Sequence, residues 1–166
     1  MSFLDSADDD PRRIKRRPLL LFVLVTLAVG ALGTIATEPA IPTWYAGLVH
    51  PSFAPPNWVF APVWTTLYVL MAVGAWRVWR VTGLNSPAIT AYWVQLALNL
   101  LWSVVFFGLH QIGGALAEIA VLALAILVTA VLFGRADRLA GLMLLPYLAW
   151  TLFAAALNYG FWTLNG

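Results

Sequence analysis

Three tryptophans that lie well inside long apolar runs are the residues of this chain that most suggest a binding chemistry. Trp64, Trp102 and Trp150 each carry a wide apolar ring and an N–H donor that needs a partner when it is buried. Tryptophans near the ends of the runs have a simpler explanation, because indole rings favour a membrane interface; these are Trp58, Trp76, Trp79 and Trp162. An interior tryptophan is also compatible with plain packing, so the neighbours of the three rings must decide.

The last apolar run places four informative residues at intervals of four, namely Pro146, Trp150, Ala154 and Asn158. In a helix this spacing puts them on one stripe. The small side chain of Ala154 leaves a concavity beside the ring of Trp150, and Asn158 adds an amide one turn further on. The stripe is therefore suited to hold a flat apolar group.

Two other runs repeat the combination of an aromatic ring and a polar group on one helical face. Gln95, Asn99 and Trp102 share a face in one run, and Trp64 and Tyr68 do so in another. Buried amides are costly in a membrane unless they are paired, so the amides must face the bundle interior. Two interpretations stay open: the amides bond helix to helix, or the three faces line a ligand pocket with apolar walls and few polar groups.

Several other kinds of site are disfavoured by the residues present. The chain has no cysteine, which excludes disulfides and thiolate metal sites. His50 and His110 lie on different connections without a carboxylate at metal-ligand spacing, so we expect no metal site. Glu118 is the one acid inside an apolar run, and we interpret it as solvated near a membrane interface.

The composition requires these faces to belong to a membrane protein. Hydrophobic residues make up 62% of the 166 residues and charged residues only 10%, whereas about a quarter of a soluble domain is charged. We predict an all-α bundle of five transmembrane helices, each long enough for a hydrocarbon core of about 30 Å. The predicted spans are Pro18 to Thr37, Trp58 to Trp76, Ala88 to Leu109, Ile112 to Gly134 and Leu139 to Leu164.

Two segments lie outside the predicted spans. Residues 1–17 are polar and charged, and we predict a disordered cytoplasmic tail followed by one domain over 18–166. A cleaved signal peptide is an alternative for the first span, but the apolar run is longer than is usual for one. Residues 38–57, here called the first loop, hold five prolines, which stiffen a chain. With Trp44, Tyr45 and Phe53, the loop is suited to act as a lid.

The basic residues give the orientation of the bundle. Five of them precede the first span, two lie between the second and third, and two between the fourth and fifth. Since cytoplasmic loops carry the excess of Lys and Arg, we predict a cytoplasmic N-terminus and an outside C-terminus. The same bases then need no nucleic-acid partner.

Three segments resemble the translocator protein family, whose members are also called tryptophan-rich sensory proteins or peripheral-type benzodiazepine receptors. They are WYAGLVHPSFAPPNWVFAPVWTTLYVLMA from Trp44, QLALNLLWSVVFFGLH from Gln95 and LLPYLAWTLFAAALNYGFW from Leu144. The resemblance covers nearly everything after residue 17, in order. It implies a five-helix bundle in which the first loop closes a central cavity, in a bacterial cell membrane.

The resemblance also implies a ligand, protoporphyrin IX or a related tetrapyrrole, with no obligatory cofactor. Family pocket positions are matched by six residues: Trp64, Asn99, Trp102, Trp150, Ala154 and Asn158. We add Tyr68 from the face that it shares with Trp64, and Trp44 from the first loop that covers the pocket. Some bacterial members are proposed to degrade porphyrin in light through the tryptophans that match Trp64 and Trp150, so these two are also candidate catalytic residues. Binding without catalysis is the favoured interpretation, with a role in tetrapyrrole handling, transport or signalling in response to stress or light.

The expected partners are porphyrin, membrane lipid and a second copy of the chain bound through transmembrane helices. The sterol motif of animal members ends in a base, but none follows Leu157 and Tyr159 here, which argues against sterol recognition. Two further hypotheses stay open: a porphyrin transporter, and a scaffold whose helices bind partners through small residues such as Gly30, Gly33 and Ala91.

Overall fold

A computed structural model describes residues 11–166 of the chain, with side chains from Arg17 onward. Its elements in that range are helical, without strands: α1 Pro11–Thr37, α2 Phe60–Thr82, α3 Pro87–Ser103, α4 Ile112–Ala136, α5 Arg138–Met143 and α6 Leu145–Asn165. Short 3-10 turns cover Tyr45–Gly47 and Asn57–Val59. Five segments are long and apolar enough to cross a membrane, which confirms the predicted number of spans.

The first helix begins earlier than the first predicted span. It opens at Pro11 and contains Pro18, so the last part of the predicted tail is helical. Pro11 is well tolerated at the first position of the helix, because the first backbone N–H groups have no partner there. The remainder of the predicted tail, residues 1–10, lies outside the described residues.

Two of the predicted spans are interrupted in ways that hydropathy does not reveal. After α3 the chain makes a π-helical turn over Val104–Gly108, in which the N–H of Leu109 donates to the carbonyl of Val104 at 2.8 Å. The last span divides at Leu144 into α5 and α6. Pro146 follows the break and has no N–H to continue the helical ladder.

The helices run alternately up and down, and the bundle is packed unequally along its length. The main core lies toward the end that carries the start of α1, with Met71, Tyr92, Phe133 and Tyr147 fully buried. The other end, here called the loop end because it carries the first loop, has a smaller cluster around Tyr45. The bundle can therefore be hollow near the loop end without losing its main core.

An ion pair joins α2 to the connection between α4 and α5, at the end opposite the first loop. Arg77 Nη2 lies 2.7 Å from Asp137 Oδ2, and Asp137 also caps α5 by accepting from the N–H groups of Leu139 and Ala140. Burial acts to raise the pKa of Asp137, but these hydrogen bonds and the Arg77 charge outweigh it and lower the pKa below its ordinary value. Asp137 therefore stabilises the turn between α4 and α5 as a carboxylate.

Candidate ligand cavity

A cavity of about 490 Å³ lies at the loop end of the bundle. This volume is within the range of small-molecule sites in proteins. The walls come from α1, α2, α3 with its π-helical turn, and α6, and most of the lining is apolar. The cavity is therefore built by the helices that carry the three faces singled out in the sequence.

Seven of the eight predicted ligand residues line this cavity: Trp64, Tyr68, Asn99, Trp102, Trp150, Ala154 and Asn158. They come from three helices that are separated along the chain, and the fold turns their faces toward one space. Ala154 is 7% exposed and lies one helical turn from Trp150. The concavity expected from the i, i+4 spacing is thus part of the cavity wall, whereas ligand binding itself stays a prediction.

The eighth predicted residue, Trp44, does not line the cavity. Its ring stacks on His110, with centroids 4.3 Å apart, and meets the edge of Phe106 at 5.5 Å. Phe106 does line the cavity, and so does Tyr45, the neighbour of Trp44. The 3-10 turn directs Tyr45 inward, so Trp44 supports the wall from behind. Trp44 is therefore the one predicted ligand residue that the described structure does not bring into the lining, and its part in ligand binding stays a prediction.

The amides in the wall bond helix to helix, as the first interpretation had it, and they line the cavity as well, whereas a bound ligand stays a prediction. Tyr68 Oη donates to Asn99 Oδ1 at 2.6 Å, and Asn99 Nδ2 donates to Tyr147 Oη at 3.0 Å. Trp102 Nε1 donates to Asn158 Oδ1 at 3.2 Å, and Asn158 Nδ2 donates to the carbonyl of Ile112 at 2.8 Å. These bonds satisfy the buried polar groups and fix the orientation of the rings.

The remaining predicted amide, Gln95, is fully buried. This agrees with the expectation that an amide turns toward the bundle interior, because its exposure to lipid would be costly. It does not line the cavity, because its Nε2 points toward Met71 Sδ at 3.7 Å. Gln95 therefore belongs to the packed part of the bundle.

The two tryptophans proposed for photochemistry have different surroundings. The Trp64 ring stacks along Tyr68 at 5.7 Å and meets the edge of Tyr147 at 6.2 Å. The Trp150 ring meets the edge of Phe60 at 5.9 Å, and its Nε1 is buried without a hydrogen-bond partner among the described residues. An unpaired buried donor is costly, and this N–H is covered by protein, so Trp150 offers the cavity its ring surface and not its hydrogen-bond donor.

Close contact between α1 and α2 depends on Gly30, whose role in the cavity wall the sequence did not reveal. A Cβ built on Gly30 would lie 2.5 Å from Cε2 of Tyr68, a distance that real Cβ contacts do not reach. The absence of a side chain at Gly30 therefore lets the Tyr68 ring take its place in the wall. Gly30 therefore serves a contact between two helices of the same chain, whereas the scaffold hypothesis had it in contact with a partner.

The first loop is fastened onto the end of α6 by residues that the sequence analysis missed. Asn165 accepts from the N–H of Val49 at 2.8 Å and donates to its carbonyl at 3.0 Å. Pro51 lies over Gly160, where an added Cβ would approach Pro51 Cγ to 2.7 Å. These contacts hold the loop over the loop end of the bundle, where it is placed to close the cavity, as a lid should be. In the same loop, burial raises the pKa of the Tyr45 hydroxyl.

The expectation that Glu118 is solvated is wrong. Both carboxylate oxygens are buried and have no hydrogen-bond partner in the described part of the chain. The reason is helical phase, since Glu118 lies between Ala115 and Leu122 on the face that α4 buries. Glu118 does not line the cavity.

Across residues 17–166, no group of three or more His, Cys, Asp or Glu side chains comes together to hold a metal.

Comparison with known proteins extends these observations. The model of the TspO/MBR family matches residues 22–163. The chain is 41% identical over 148 residues to the tryptophan-rich protein TspO of Archaeoglobus fulgidus, covering 89% of this chain and 96% of the relative. It is 42% identical over 153 residues to protein CrtK of Rhodobacter capsulatus, covering 89% and 94%. It is 43% identical over 126 residues to the translocator protein of Sus scrofa, covering 74% and 75%.

Proposed function

Since the chain belongs to the TspO/MBR family of multi-pass membrane proteins, we propose that it binds a flat hydrophobic ligand, protoporphyrin IX or a related tetrapyrrole, in the cavity at the loop end. The resemblance noted in the sequence is confirmed as family membership. The ligand, by contrast, is what the resemblance implies, and the shape and the chemistry of the cavity support it.

One observation carries the proposal: Trp64, Trp150 and Ala154 line the same cavity of about 490 Å³. A planar macrocycle needs wide aromatic walls with a small residue beside them, because contact between rings adds about 0.5 to 1.5 kcal/mol per pair beyond the area that is buried. Most of the lining surface is apolar, and two pairs of polar groups in the wall bond to each other, Tyr68 with Asn99 and Trp102 with Asn158. Such a cavity favours a ligand that gains its affinity from apolar surface.

The direct test is a titration of the purified protein with protoporphyrin IX in darkness, followed by absorption and by quenching of tryptophan fluorescence. Trp150→Phe should weaken binding modestly, because it keeps most of the ring surface. The matched control is Trp58→Phe, since Trp58 is 75% exposed and does not line the cavity. A parent protein that leaves the porphyrin spectrum unchanged would refute tetrapyrrole binding.

A second candidate function is light-dependent degradation of the bound porphyrin, and the placement of both Trp64 and Trp150 in one cavity wall favours it. In this reaction an excited porphyrin would exchange an electron with an indole ring, and dissolved oxygen would be the oxidant. Repeating the titration under illumination separates the two functions. Bleaching that requires light and parent protein, and that stops in Trp150→Phe, supports the enzyme; a stable spectrum supports binding alone.

We also propose that the loop end faces outward in a bacterial cell membrane, with the N-terminus in the cytoplasm, and that the protein forms a homodimer. The described arginines outside the first span lie in helices near the ends opposite the first loop: Arg77 and Arg80 toward the end of α2, Arg135 in the last turn of α4 and Arg138 at the start of α5. Cytoplasmic connections favour such bases. An alkaline phosphatase fused after Gly166 should be active in the periplasm, and an inactive fusion would overturn the orientation. Crosslinking in native membranes tests the dimer.

A further inference from the structure

Among the side chains described from Arg17 onward, Glu38 is the one formally charged group that lines the cavity. It follows the last residue of α1 and is exposed, so it lies at the mouth where the cavity meets solvent. The other polar groups of the lining are neutral amides and hydroxyls. The electrostatic character of the mouth therefore depends on this carboxylate.

No arginine or lysine in the described part of the chain lines the cavity to balance Glu38. Two imidazoles lie at the loop end, but both are engaged elsewhere: His50 Nε2 lies 3.2 Å from the carbonyl oxygen of Tyr45, and His110 stacks on Trp44. An ionised carboxylate that entered such a cavity would find no cation, and burying it unpaired is very costly. The ionised carboxylates of a ligand must therefore stay at the mouth, close to Glu38.

We propose that Glu38 sets the charge selectivity of the cavity, disfavouring planar ligands that carry ionised carboxylates and favouring those that are uncharged or cationic at the mouth. This inference rests on the proposed function and narrows its ligand class. Like charges at the mouth repel each other, and the repulsion is only partly screened by water and salt. A dicarboxylic porphyrin then binds with its apolar edge inward and its carboxylates at the mouth, where Glu38 repels them. The binding of its diester does not depend on the charge of Glu38, because the ester groups are uncharged.

The test compares protoporphyrin IX with its dimethyl ester on the same protein, in darkness and at about pH 8, where an ordinary imidazole is uncharged. Glu38→Gln should tighten binding of the dicarboxylic acid about threefold to tenfold and leave the ester unchanged. Glu38→Lys should extend the gain for the acid. The gain should shrink when the ionic strength is raised from roughly 0.05 to 0.5 M.

The control variant is Gln111→Lys, which adds a positive charge at the loop end outside the cavity lining. Empty detergent micelles correct for partitioning of the ester, and thermal midpoints confirm that each variant folds. If both porphyrins bind but Glu38→Gln leaves the ratio of the two affinities unchanged, or if Gln111→Lys changes it as much as Glu38→Lys, the inference is overturned and the proposed function stands. If neither porphyrin binds the parent protein, the proposed function fails and the inference fails with it.

Discussion

Replacing Ala154 by leucine is the sharpest test of where the ligand lies. Ala154 is 7% exposed, lines the cavity and belongs to the same packed cluster as Trp150. Leucine adds three carbon atoms to the space beside that ring. The substitution changes neither charge nor hydrogen bonding, so its effect on binding reports on shape.

The expected loss follows from two terms. Extra methylenes in a well-packed site typically cost about 1 to 3 kcal/mol, and a macrocycle displaced from one ring loses about 0.5 to 1.5 kcal/mol of aromatic contact. A loss of about 1.4 kcal/mol corresponds to a tenfold change in the dissociation constant. Ala154→Leu should therefore weaken porphyrin binding at least about tenfold, while helix content survives because leucine suits a membrane helix.

The assay is the dark titration with protoporphyrin IX, together with the thermal midpoint of each protein in detergent. Ala156→Leu provides a matched control, because it is the same substitution at a position on the exposed side of α6, outside the cavity lining. It should bind like the parent. An Ala154→Leu protein with parental affinity and parental stability would show that this stripe does not contact the ligand, and the site would have to be placed elsewhere.

Three further outcomes follow from single contacts. Gly30→Ala should lower the free energy of unfolding by about 1 to 3 kcal/mol, because the new methyl group meets the Tyr68 ring. The thermal midpoint in detergent should fall accordingly, and an unchanged midpoint would contradict the close contact. Asp137 has a lowered folded pKa, so its stabilising effect is complete above the ordinary value of 3.8 and is lost as the pH falls through the folded value. Unfolding curves should therefore show an acid-induced loss of stability that is smaller in Asp137→Asn, and equal losses would count against the Arg77 pair. Asn165→Ala should speed ligand release in stopped-flow measurements by freeing the first loop, and an unchanged rate would mean that the loop is not a lid.

The number and approximate position of the membrane spans could be predicted from the sequence, because span formation depends on the summed hydropathy of about 20 neighbouring residues. The stripes of α3 and α6 could be predicted for a similar reason. Residues four apart share a helical face whatever the helix packs against, so Trp150, Ala154 and Asn158 were recognisable as one face. That buried amides in a membrane turn inward followed from the cost of leaving them unpaired.

The partners across the bundle were decided by the tertiary structure. Tyr147 completes the hydrogen bonds of Asn99, although 48 residues separate them, and Asn165 fastens a loop that lies 116 residues away. Such pairs depend on the rotation and crossing of whole helices, which no local pattern records. The 3-10 turn of the first loop, packed against the helices, decides that Tyr45 faces the cavity in place of Trp44.

The electrostatic surroundings of the two acids in question were also a matter of tertiary structure. Composition and spacing reveal that Glu38 and Glu118 are present, but not which of them meets water. Helical phase places the carboxylate of Glu118 in the protein interior, while the end of α1 leaves Glu38 at the mouth of the cavity. Types and periodicity of residues are properties of the chain alone, whereas burial and neighbours exist only once the helices have packed.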